Sequence, residues 1–342
     1  MLETIWFILW GVLWAVYFML DGFDLGLGTL LPFIARDEAE KRAVYQSLGP
    51  YWDGNEVWLI TAGGVTFAAF PTAYAVMFSS LYTPLMLVLF SLILRGVSVE
   101  YRNKVDSPGW RKIWDIGTFV GSVLPAILLG VAFANIFEGL PLTKEGILEG
   151  GLPALLNPYG LLGGVVFLVL FVMHALNWLV IKSSGALETR ARRWARALWP
   201  VVLVGAAGFL VATAWFTPLY NNYLAYPVLF ILPLAAVAAV ILMRLYMAKF
   251  RPWLTWASSA ALIVFATLFG VVGLYPNLLP STLDPAATLT AFNAASSPLT
   301  LKIMLAVALI MVPIVIVYQT WVYHHFRLKV QDQGSAFGDG VY

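Results

Sequence analysis

Long apolar runs, broken by short clusters of glycine, proline and charge, set the pattern of this chain. Crossing a hydrocarbon core of about 30 Å takes about 20 residues of helix. Runs of that order fall at 4–34, 53–76, 78–98, 114–137, 158–182, 197–219, 224–247, 255–276 and 299–326. The connections hold breakers: Pro71, Pro108–Gly109, the stretch from Pro141 to Pro158, Pro218, Pro227, Pro252, and the stretch from Pro276 to Pro298. The runs lack the alternating pattern of a membrane barrel strand. The expected fold is therefore an all-α integral membrane protein, 1–342 as one membrane domain with nine transmembrane helices, and 330–342 (VQDQGSAFGDGVY) as a flexible tail.

Composition sharpens this. Of 342 residues 61% are hydrophobic and 11% charged, against about 25% charged in globular domains. The absence of cysteine excludes disulfides, thiolate metal sites and covalent c-type haem. A net charge of +2 is too small to argue for nucleic acid. The start, MLETIWFILW, has no basic segment and no small-residue cleavage site, so the first span is expected to be retained. With the N-terminus outside, only Lys144 and Lys302 of the 20 Lys+Arg fall on the outer side. That asymmetry predicts an outer N-terminus and a cytoplasmic C-terminus.

Against this background four carboxylates stand out on the first two runs: Asp21 and Asp24 in DGFDLGLG, Asp53 and Glu56 in WDGNEVWLITAGG. A carboxylate at mid-bilayer costs about 2.5–3.5 kcal/mol on insertion scales. Each pair is spaced by three residues and shares a helix face. The orientation places all four toward the cytoplasmic side, where they form a candidate proton path with Asn55 positioned to hold a water. Gly22, Gly26 and Gly28 let a neighbouring backbone approach the first helix. The competing reading, solvated or capping acids at helix ends, is strongest for Asp53. Of three histidines, His174 reads as a hydrogen-bonded interior residue, with an axial haem site shared with one of the nine methionines as the competing reading, and His324 and His325 as part of a solvated positive end. Many tryptophans sit at span ends as an interface belt, whereas Trp14, Trp58, Trp178 and Trp215 lie further in, placed to pack against a partner or a quinone. A proton-coupled secondary transporter would explain the acids too, but the inverted repeats and paired broken helices of that class are not evident. A purely structural anchor leaves the carboxyls unexplained.

Several blocks resemble a known family: DGFDLGLG at 21–28, YWDGNEVWLITAGGVTFAAFP at 51–71, RGVSVEYRNK at 95–104, WDIGTFVGSVLPAILLGVAFAN at 114–135 and NPYGLLGGVVFLVLFVMHALNWL at 157–179. They look like subunit II of the cytochrome bd-type quinol oxidases, over essentially the whole chain. The resemblance implies two four-helix bundles, 4–137 and 158–276, with a peripheral ninth helix at 299–326. It implies a haem-free subunit paired with a subunit I that carries haem b, haem d and the quinol site. The complex would sit in a prokaryotic cytoplasmic membrane and reduce O2 to water electrogenically without pumping. It also implies proton uptake past residues matching Asp21 and Asp53, with Asp24 in the same motif; Glu56 stands where the family pattern also admits Gln. A small single-helix subunit, membrane lipid and a structural quinone are further partners the resemblance leaves room for.

Overall fold

A computed structural model describes residues 1–330. The expected tail lies outside the described residues apart from Val330, whose N–H donates to the Lys182 carbonyl at 2.7 Å.

The first helix, α1 (Leu2–Ile34), is about 50 Å long at the helical rise. It is apolar nearly all round, which suits a helix enclosed by others. It packs against α3 (Trp52–Ala69), α6 (Pro108–Glu138), α8 (Pro158–Lys182) and α12 (Pro252–Leu274). The glycines let this happen on two sides. A Cβ at Gly26 would stand 2.1 Å from the Phe171 carbonyl oxygen and 2.6 Å from Ala175 Cβ on α8, and one at Gly28 would meet Ser122 Oγ on α6 at 2.0 Å. Further along α1, Trp14 and Phe18 pack edge-on against Phe133 of α6.

Among the described residues, eight stretches are long and apolar enough to cross a membrane: α1, α5 (Tyr82–Tyr101), α6, α8, α9 (Gly185–Phe216), the stretch Pro227–Ala248 that contains α11 (Ile231–Ala248), α12, and α13 (Pro298–His325). The remaining expected span, 53–76, differs from its sequence outline. The helix stops at Ala69, and Phe70 takes φ −134°, ψ 61°. Pro71 is the reason, because its ring disfavours helical backbone at the residue before it. Residues Pro71–Ser80 form a separate helix, α4, which lies against a two-stranded ribbon of β1 (Asn277–Leu279) and β2 (Leu289–Thr290). α3 is thus 18 residues long, and Asp53, Asn55 and Glu56 make it less apolar than the other eight. The short helices α7 (Gly151–Leu155) and α10 (Tyr220–Ala225) sit in connections.

A surface helix not anticipated from the apolar pattern, α2 (Glu38–Leu48), follows α1; its N-cap Asp37 accepts from the Glu40 N–H at 2.9 Å. α9 begins well before its apolar run, and this charged extension docks on α2. Arg190 donates to both Glu40 carboxylate oxygens, at 2.7 and 3.1 Å, and to the Ile34 carbonyl at the end of α1 at 2.5 Å. Nearby, fully buried Arg102 bonds Asp115 at 2.5 Å and Glu38 at 2.9 Å, while Lys41 and Tyr45 also bond Asp115. Basic residues that read as topological markers therefore also staple α2, α5, α6 and α9 together.

Candidate functional site

Near the C-terminal part of α1, Asp21 and Asp24 are buried, at 0% and 1% exposure. Asp21 Oδ1 faces Arg95 of α5, with Nη1 at 2.8 Å, and the other guanidinium nitrogen of Arg95 donates to Glu56 Oε2 of α3, also at 2.8 Å. Arg95 is itself buried, while Glu56 keeps 22% of its side chain exposed. The Arg95–Asp21 contact is an ion pair rather than an aligned hydrogen bond. Both Asp21 oxygens, Asp24 Oδ1, the Tyr17 hydroxyl and Arg95 Nε have no aligned partner among the described residues. Such a concentration of underused polar atoms inside a bundle is a functional signal more than a stabilising device.

Asp24 Oδ2 accepts from Asn55 Nδ2 of α3 at 2.7 Å. Asn55 Oδ1 in turn accepts from Tyr323 (2.9 Å) and Gln319 (3.1 Å) of α13. Four helices, α1, α3, α5 and α13, thus meet at one level. Of the sequence-predicted residues, Asp21, Asp24, Asn55 and Glu56 come together. Asp53 does not join them: it is exposed one turn before Glu56, although three-residue spacing suggested a shared face. Its position at the first turn of α3 turns its side chain outward.

Sequence reasoning missed Arg95 as a site residue. It reads only as one of the inner-side charges, yet its place within the apolar run 78–98, ahead of that run's end, was the available signal. Gln319 and Tyr323 left no signal of that kind. His174 is interior as expected, with Nδ1 2.7 Å from Ser259 Oγ, Nε2 3.0 Å from the Met19 carbonyl, and its ring stacked on Trp256. His324 and His325 are exposed at the end of α13. Trp14, Trp58 and Trp178 are buried; Trp215 is 81% exposed and stands one residue before the end of α9, nearer a span end than its run of 197–219 suggested. Among the described residues no group of three His, Asp or Glu side chains is placed to hold a metal ion.

Comparison with known proteins adds the following. The family model described as cytochrome bd terminal oxidase subunit II matches residues 2–326. The chain is similar to "Cytochrome bd ubiquinol oxidase subunit 2" of Bacillus subtilis (strain 168), with 35% identity over 96% of this chain and 97% of the relative. It is likewise similar to "Cytochrome bd-I ubiquinol oxidase subunit 2" of Escherichia coli (strain K12), with 35% identity over 94% of this chain and 93% of the relative. Among solved structures, a chain from "The structure of bd oxidase from Geobacillus thermodenitrificans" shares the fold, with a TM-score of 0.73, 17% identity and coverage of 95% of this chain and 98% of that one.

Proposed function

The chain belongs to the cytochrome bd terminal oxidase subunit II family, and on that premise we propose that it is the haem-free, proton-conducting subunit of a quinol:oxygen oxidoreductase. The observation that carries this reading is the pair of buried carboxyls on α1, of which Asp21 is joined through Arg95 to Glu56 at the bundle edge and Asp24 is bonded to Asn55. Burying two acids and one arginine together, with a third acid part-exposed beside them, costs stability unless it serves a purpose. Proton delivery needs exchangeable groups spaced from a wet edge to a dry interior. Asp53, exposed at the start of α3, collects protons. Glu56, part-exposed and bonded to Arg95, is the next acid inward. Asp21 and Asp24 receive protons inside. Arg95 offsets the negative charge, so that the cluster tolerates a changing number of protons.

The quinol and haem chemistry belongs to subunit I. The three histidines support this: His174 has both ring nitrogens engaged by Ser259 and the Met19 carbonyl, and His324 and His325 stand exposed at the end of α13. Protons for O2 reduction come from the cytoplasm while quinol releases its protons outside, so charge separates without pumping. The orientation follows from the basic residues, with an outer N-terminus and nine spans, α3 taken as the second. The spans divide into two four-helix bundles, 4–137 and 158–276, and α13 stands as the peripheral ninth helix. An apolar cavity of about 230 Å³, lined by residues such as Phe167, Leu203, Val237 and Ile263, suits a lipid or isoprenoid chain. Its near lack of polar groups does not suit a quinone ring.

The reading is tested with Asp21→Asn and Asp53→Asn in the whole complex. Each amide keeps size and hydrogen-bonding capacity but removes the exchangeable acid. Quinol oxidase turnover is expected to fall at least about tenfold, equivalent to about 1.4 kcal/mol of barrier, with haem content and assembly intact. Fully assembled variants with wild-type turnover and wild-type voltage generation in proteoliposomes overturn it.

A further inference from the structure

The last helix touches the rest of the molecule at few points. Leu301 is its single buried residue, and most of its length turns apolar side chains outward. Its inner end is different. Gln319 and Tyr323 lie one turn apart on one face, and both reach Asn55 Oδ1. The far end of Gln319 meets Trp58 of α3, whose indole N–H donates to Gln319 Oε1 at 2.7 Å.

These contacts fix directions. An indole N–H can only donate, so Gln319 turns its carbonyl oxygen to Trp58 and its amide nitrogen to Asn55. Asn55 must then turn its oxygen to α13, which leaves its nitrogen facing Asp24 Oδ2 and the Leu20 carbonyl, at 2.7 and 3.3 Å. The donor-only indole, together with the acceptor-only carbonyls of Gly54 beside Gln319 and of Leu20 beside Asn55, thereby sets the sense of two amides in series. We infer that α13 is a working part of the proton path: Trp58, Gln319 and Tyr323 are positioning residues that hold Asn55 with a donor toward Asp24, and so keep Asp24 ready to accept a proton. A reversed amide would present an oxygen, which only a protonated Asp24 can satisfy.

The inner end of α13 is pinned for this purpose. Tyr51 donates to the Phe326 carbonyl at 2.8 Å, and buried Lys182 donates to the Leu328 carbonyl at 2.8 Å and to that of Phe326. These bonds satisfy carbonyls at and beyond the helix end. The ring of Tyr51 also packs on that of Tyr323, with centroids 4.6 Å apart.

The inference rests on the proton-path reading, and its test separates the two. Besides Tyr323, the titratable and charged groups around Asp24 are Asp21 and Tyr17 of α1, Tyr51 and Glu56 of the α3 segment, and Arg95 of α5; all of these stay in place in the variants. His174 of α8 faces the Met19 carbonyl instead. The complete oxidase is prepared with Gln319→Glu, with Gln319→Leu plus Tyr323→Phe, with Tyr323→Phe alone, and with Asp24→Asn. The pH profile of turnover is measured, together with the infrared carboxyl band that disappears in Asp24→Asn. In Gln319→Glu the new carboxylate accepts from Trp58 and Asn55 alike and reverses the Asn55 amide. The Asp24 band is expected to gain protonated-carboxyl character at neutral pH, and the pH profile to move up by about one unit. The double variant adds no charge and is expected to move both in the same direction by less, with Tyr323→Phe alone smaller still. An Asp24 band and a pH profile that stay at wild type in Gln319→Glu and in the double variant overturn the inference. If Asp24→Asn itself keeps wild-type turnover at every pH, the proton-path reading of Asp24 fails, and the infrared band alone decides the role of α13.

Discussion

Replacing Arg95 is the sharpest perturbation of this molecule. Its guanidinium lies 2.8 Å from both Asp21 and Glu56. At an effective dielectric constant of about 20, each such contact represents about 6 kcal/mol of gross attraction. Desolvation of three buried or half-buried charges cancels much of that, and Glu56 is screened by solvent. What Arg95→Met leaves behind decides the outcome: Asp21, at 0% exposure, keeps a charge with no counter-ion or neutralises by binding a proton permanently. Removing one partner of a buried pair costs about 3–5 kcal/mol. For a chain of this size that corresponds to a fall of about 4–7 °C in apparent melting temperature. The assay is thermal unfolding of the detergent-solubilised complex, followed by retained haem absorption and by turnover. Combining Arg95→Met with Asp21→Asn and Glu56→Gln removes the stranded charges. Stability is expected to return to within about 1–2 kcal/mol of wild type, while turnover stays low because the acids are gone. Wild-type stability and turnover in the single variant, or a combined variant no more stable than the single one, refutes the reasoning.

Other expectations follow from the packing. Gly26→Ala places a methyl group against the Phe171 carbonyl and Ala175, so α1 and α8 must separate; a loss of about 1–3 kcal/mol should appear as a lower melting temperature, and an unchanged one contradicts the close approach. The Arg190 hydrogen bonds hold the Glu40 carboxyl below its usual range. Glu40 therefore contributes stability that is fully present above its unfolded value of about 4.3 and is lost as pH falls through its folded value. Glu40→Gln should lower the melting temperature at pH 7 and narrow its gap from wild type at pH 4; a pH-independent gap contradicts the pairing. His174→Ala is expected to leave the haem spectrum of the assembled complex intact, and loss of one haem with protein level retained would make His174 a ligand.

How much of this was legible beforehand follows a physical boundary. Apolar run length is a local property, so eight of the expected spans emerge as helices of the required length and apolarity. The Asp21–Asp24 pair and the glycines beside it were also visible, because burial of acids and loss of Cβ are written in residue type. The break at Phe70 was half visible: Pro71 marked a turn, but the apolar residues after it read as a continuing span. Periodicity fixes which residues share a face of one helix and leaves open how that helix is rotated against its neighbours. That rotation brought Arg95 into the centre of the acid cluster, whereas Asp53 stays exposed because it stands at the first turn of α3. Contacts distant in sequence are invisible to any local pattern. Asn55 and Tyr323 are 268 residues apart, and only the docking of α13 on α3 makes them neighbours. Residue type and run length suffice to specify a membrane-spanning helical chain with acids where acids are costly. The tertiary structure decided which of those acids share a counter-ion, which amide faces them, and which helix turns that amide, because those choices depend on interhelical packing that no single helix encodes.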